Sequence, residues 1–154
     1  MASPRPCAGI GITAQAGFYI TVDPGATITT RGGAVSLLAG DLGSLTSPNE
    51  SAVFLGAAID TTNGGTVPAG ANVTIKSRLQ DLGTSSIELN ASINAGTSGS
   101  VLLDSFASLV EGGRINQTGG VITALNLTAV ALEEINLAQN NVITGDVNLG
   151  SNLG

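Results

Sequence analysis

The chain has 154 residues, with 11 acidic against 5 basic and no histidine, and only one lysine, Lys76, among the cations. One lysine and four scattered arginines cannot neutralise a row of phosphates, which argues against a nucleic-acid binder. Charged residues at 10% and aromatics at 3%, with 42% hydrophobic residues, exclude a disordered chain and leave a core of Ala, Val, Ile and Leu.

Short alternating segments follow one another from the start. Ile10–Ala14 and Phe18–Val22 read as strands, the second ending at Asp23-Pro24-Gly25, where Pro sets φ and Gly accepts positive φ. Ala26–Thr30 and Ala34–Leu38 are two more, separated only by Arg31-Gly32-Gly33. Val53–Leu55, Ala57–Thr61, Asn72–Ser77, Ile87–Leu89, Ser92–Asn94 and Val101–Leu103 continue the series. Beyond Gly112-Gly113 come Ile115, the run Val121–Val130, then Ile135–Leu137, Val142-Ile143 and Val147–Leu149. Two windows, Leu102–Val110 and Ala129–Ala138, carry helix-like features, but each spans only one or two turns, so the predicted class is all-β.

Repeats choose among the all-β architectures. Asp23, Asp41, Asp60, Asp81 and Asp104 fall at intervals of 18, 19, 21 and 23. Val35-Ser36-Leu37, Val53-Phe54-Leu55 and Val73-Thr74-Ile75 recur at steps of 18 and 20, and Gly40-Asp41-Leu42-Gly43 is echoed by Gln80-Asp81-Leu82-Gly83. A step near 20 holding two or three short strands predicts a single-stranded parallel β-helix, a solenoid of about seven coils of roughly 20 residues. At about 4.8 Å per coil its length would be on the order of 35 Å. Residues 1–8 are expected to form an N-terminal tail and residues 9–154 the solenoid domain.

The stretches "ITVDPGATITTRGGAVSLLAG", "GANVTIKSR", "SSIELNASINAGTSGSVLLDS" and "GGRINQTGGVITALNLTAVALEEINLAQNNVITGDVNLG" resemble filamentous-haemagglutinin-type β-helix repeats, over roughly residues 9 to 150. Such repeats build bacterial exported adhesins and autotransporter-like passengers. The resemblance implies a right-handed parallel β-helix displayed at the cell surface or outside the cell. The chain departs from that pattern in being far shorter and in lacking an Asn-Pro-Asn-Leu-type secretion module, so it is more like a segment of a shaft or a small relative that stacks.

Chemistry is sparse. Without histidine there is no Ser–His triad and no Cys/His zinc site, and no phosphate-cradling glycine motif stands in the chain. No enzyme activity and no cofactor are expected. Asp41, Asp60 and Asp81 are the weak candidates for a hard-cation site, since carboxylates aligned on one face could bind such an ion through oxygen. The competing reading is that Asp suits corners and that the unequal spacing sets these three at different places around the coil. Glu133-Glu134 reads as a solvated turn, and Lys76 with Arg78 as a surface pair on one strand face. Five N-x-[ST] sequons begin at Asn49, Asn72, Asn90, Asn116 and Asn126 and are possible glycosylation sites, alternatively a by-product of polar outward positions. Cys7, beside Pro4 and Pro6, reads as a spectator thiol.

No apolar run approaches the length of a transmembrane helix, and no membrane insertion is expected. The first residues lack the apolar region of a signal peptide, which for an exported protein suggests a fragment or processed piece. The functional expectation is a non-enzymatic extracellular structural or adhesive module. No polar cap is visible at either end, and Val147-Asn148-Leu149-Gly150 still reads as strand, so self-association end to end into a filament is expected. The alternatives are a carbohydrate-binding or carbohydrate-acting β-helix with an Asp-bearing face, in contact with surface glycans or host surfaces, and a cytoplasmic β-helix polymer.

Overall fold

The structure, a computed structural model, describes residues 9–40, 50–62, 70–79, 84–107 and 112–151. The predicted tail, residues 1–8, lies outside them, as do residues 41–49, 63–69, 80–83, 108–111 and 152–154. The described residues form sixteen strands and no helix. A first passage consists of β1 (Ile12–Ala16), β2 (Tyr19–Val22) and β3 (Ile28–Thr29), and a second of β4 (Val35–Ala39), β5 (Glu50–Leu55) and β6 (Ile59–Asp60). The third holds β7 (Val73–Leu79), β8 (Thr84–Leu89) and β9 (Ile93–Asn94), and the fourth β10 (Val101–Ala107), β11 (Arg114–Gln117) and β12 (Ile122–Ala124). The fifth holds β13 (Leu127–Ala131), β14 (Glu134–Leu137) and β15 (Val142–Ile143), after which β16 (Val147–Ser151) begins a sixth.

Each strand pairs with the strand three places on, and every pairing is parallel. Three sheets result, with orders β1-β4-β7-β10-β13-β16, β2-β5-β8-β11-β14 and β3-β6-β9-β12-β15. The chain therefore visits the three sheets in strict rotation. The sheets carry six, five and five strands among the described residues, fewer than the seven coils expected from a step near 20. The register explains the shortfall: Ile12, Val35, Val73, Val101, Leu127 and Val147 are successive partners, at steps of 23, 38, 28, 26 and 20 residues. The fifth passage has the shortest links, none above four residues. Earlier ones insert extra residues between strands, ten of them between β4 and β5. Six strands at about 4.8 Å make the first sheet on the order of 24 Å deep.

Within each strand the side chains alternate, and the inward ones stack in columns across the passages. Val35, Val73, Val101 and Leu127 form one column, and Leu37, Ile75, Leu103 and Ala129 the next. Val53, Ile87 and Ile115 line the second sheet, and Ile59, Ile93 and Ile122 the third. All of these are buried, and together they form one continuous aliphatic core. Each such burial contributes roughly 1.5–3 kcal/mol, and β-branched residues suit a pleated surface. No aromatic side chain is in this core; Tyr19 and Phe54 lie outside, exposed, with their rings 6.4 Å apart.

Corners between sheets are tight. Between β3 and β4, Arg31 and Gly32 both take positive φ, 50° and 92°, and the Thr30 hydroxyl donates to the Gly33 carbonyl. At Gly99, which leads into β10, a Cβ atom would stand 2.3 Å from the Ala95 carbonyl oxygen, so only glycine fits. The predicted run Val121–Val130 is two strands rather than one, because Leu125 and Asn126 turn the chain from the third sheet to the first. That corner uses neither Gly nor Pro, and Asn126 is its one turn-favouring residue. Neither window with helix-like features is helical where described: β10 covers the first as far as Ala107, and β13 and β14, joined by a bend at Leu132-Glu133, occupy most of the second.

Candidate functional site

The sequence-predicted residues are distributed rather than gathered. Asp60 ends β6, and one of its carboxylate oxygens accepts from the backbone N–H and the hydroxyl of Thr62, at 2.8 and 2.6 Å. In register, Asp60 pairs with Thr29 and Asn94, not with another acid. Asp41 and Asp81 lie outside the described residues. Asp23 sits in the turn after β2, Asp104 within β10 and Asp146 just before β16, so the near-regular spacing of Asp in sequence is not a column in space. Among the described residues no three His, Cys, Asp or Glu side chains gather as a metal-ion site.

The sequon asparagines, apart from Asn49 outside the described residues, bridge one passage to the next. The Asn72 side-chain carbonyl accepts the Ser100 N–H at 2.9 Å, and that of Asn126 accepts the Asp146 N–H at 2.9 Å. Asn90 accepts from the Thr118 hydroxyl. Asn116 donates to Glu88 at 3.0 Å and accepts from Asn136 at 3.2 Å. Lys76 and Arg78, read from the sequence as a surface pair, share a partner that the sequence did not reveal. Asp104 is nearly buried, 2.8 Å from the Arg78 guanidinium and 3.7 Å from the Lys76 ammonium. Glu133 and Glu134 are exposed at the turn into β14. The Arg114 guanidinium, hydrogen-bonded to Glu133 at 2.5 Å, holds that carboxyl below its usual range, and the Gly112 backbone adds to the effect; Glu133 in turn raises the Arg114 pKa.

The place where the architecture changes is the last passage. The column that is buried at Val35, Val73 and Val101 ends at Val147, which is 56% exposed, and the column through Leu103 ends at Leu149, 55% exposed. Both are inward positions with no strand beyond them among the described residues. With Leu127, Leu137 and Ile143, and with the amides Gln139, Asn140 and Asn141, they line a shallow hollow at the end of the stack. Asn141 reaches from that lining to Gln117 in the passage below, and both stand at positions that are aliphatic in earlier passages. Gln117 follows Val22, Leu55 and Leu89 in register, and Asn141 stands opposite Ile122. Gln117 is 2% exposed, and the pair is reciprocal: Gln117 donates to Asn141 at 2.9 Å and Asn141 donates back at 2.8 Å. Asn141 also accepts the Ile122 N–H at 2.8 Å, so both amides are satisfied. No sequence motif marks this pair; two polar residues 24 apart meet only because the register places them so.

At the opposite end the first passage repeats the pattern of the last. Ile12 is an inward position, yet 39% exposed, and Ile20, Val22 and Ile28 are only partly covered. Sheet edges with unpaired N–H and C=O groups therefore stand at both ends of the stack among the described residues. Comparison with known proteins adds no relative: no family model, no curated protein and no solved structure matches the chain.

Proposed function

We propose that the three sheets close on one another as a parallel β-helix, and that the protein is a non-enzymatic structural or adhesive rod module that assembles end to end. The observation that carries this reading is the exposure of Val147 and Leu149 at the end of columns that are buried elsewhere. An open rung of this kind has both an apolar surface to cover and a row of backbone groups to pair, and a strand from another molecule satisfies both. Right-handed coiling, membership of the filamentous-haemagglutinin-type repeats and placement at the cell surface rest on the sequence resemblance alone.

Negative-stain electron microscopy of the purified chain across a concentration series tests the assembly. Rods that lengthen with concentration are expected. Discrete particles of one monomer's length at every concentration would refute it.

A further inference from the structure

The polarity of that assembly can be read from the two ends. We propose that the occupant of the C-terminal edge is the N-terminal edge of a second copy of this chain, so that assembly is head to tail. This inference rests on the end-to-end reading above. Three observations support it.

The first is strand direction. All pairings within the chain are parallel. A copy moved along the stack axis presents β1, β2 and β3 pointing the same way as β14, β15 and β16, and the parallel pattern continues. A copy related by a two-fold axis across the stack would reverse its strands and break the slanted hydrogen-bond pattern that every other rung uses.

The second is matching chemistry at the inward positions. Ile12 at one edge and Val147 and Leu149 at the other are aliphatic residues of continuous columns, each half exposed only because its next rung is missing among the described residues. Bringing these edges together buries both sets.

The third is charge. The fifth passage, with its link to β16, carries Glu133, Glu134 and Asp146, against the single Arg114 one rung below. The first passage, with its link to β4, is balanced by Asp23 and Arg31. A tail-to-tail contact would set the carboxylate-rich end against itself, whereas the head-to-tail contact sets it against a neutral edge.

Complementation between two blocked chains tests the polarity. Leu149→Arg blocks the C-terminal edge and Ile12→Arg the N-terminal edge, and both side chains are already partly exposed at the open rungs, so each variant should keep the β circular-dichroism signal of the wild type. By light scattering or mass photometry, the wild type should form a concentration-dependent series of oligomers. Each variant alone should remain a monomer, and their equimolar mixture should double in mass and stop at the dimer, through the one intact edge on each partner. A dimer formed by Ile12→Arg alone would show a tail-to-tail contact, and one formed by Leu149→Arg alone a head-to-head contact. Either would overturn the polarity while leaving assembly standing. A wild type that stays monomeric throughout would overturn both.

Discussion

The middle passages and the last one are built from the same pattern and reach different states. Leu103 and Leu149 occupy one column, two rungs apart, on strands of the same sheet. Leu103 has a rung on either side and is fully buried, whereas Leu149 has one only and is more than half exposed. The alternation along a strand decides which way a side chain points; the neighbouring rung decides whether it is buried. In a stack of this kind stability is a nearest-neighbour quantity, and an end rung holds its apolar residues ready for whatever pairs with it.

The largest expected break in that comparison comes from cutting the same side chain at the two positions. Leu103→Ala should cost about 2–5 kcal/mol in denaturant unfolding, the usual range for a core leucine. Leu149→Ala, measured on dilute monomer, should cost less than about 1 kcal/mol, because little is buried there to lose. Similar losses at both sites would mean that the end rung is covered in the monomer.

The amide pair beneath the end sharpens the contrast. Replacing only Gln117 by Leu leaves Asn141 with unmet hydrogen-bonding groups, and the same holds in reverse, so each single variant should lose about 1–3 kcal/mol. The double variant Gln117→Leu with Asn141→Leu restores the aliphatic columns and should lose clearly less than the sum of the two single variants, the Ile122 N–H still lacking its side-chain acceptor. Additive losses in the double-mutant cycle would show that the two amides are not coupled.

The smallest effect concerns the exposed Glu133–Arg114 pair. Because the folded-state pKa of Glu133 is depressed, its contribution to stability is present above the ordinary glutamate value of about 4.3 and is lost as pH falls through the lower folded value. The stability–pH curve of Glu133→Gln should accordingly be flatter than that of the wild type below about pH 4.3. Parallel curves for the two proteins would remove the pair from the stability of this end.

Much of the secondary structure was legible in the sequence, because short alternating runs bounded by Gly, Asn and Asp are strands for physical reasons. Asn72–Ser77 became β7, and Val142-Ile143 is β15 residue for residue. Which strands would be neighbours was much less legible. Val35-Ser36-Leu37, Val53-Phe54-Leu55 and Val73-Thr74-Ile75 recur at 18 and 20 residues, but Val35 and Val73 stack directly in the first sheet while Val53 belongs to the second. That echo marks strand to strand, not passage to passage. Variable links hide the true period, since successive partners in the first sheet lie anywhere from 20 to 38 residues apart. The Asp104 cluster and the Gln117–Asn141 pair were hidden for the same reason, because their partners are 24 to 28 residues apart at spacings that no motif predicts. The strand at the end was different: Val147–Leu149 reads as strand in the sequence, and that signal is local.

Hydrogen exchange on the wild-type chain, followed by mass spectrometry at low and high protein concentration, tests the open end most directly. If the edge of β16 is the docking surface, amides in the peptide covering Val147–Ser151 gain protection as concentration rises, while those of β10, already paired on both sides, do not change. Protection of that peptide independent of concentration would contradict end-to-end assembly.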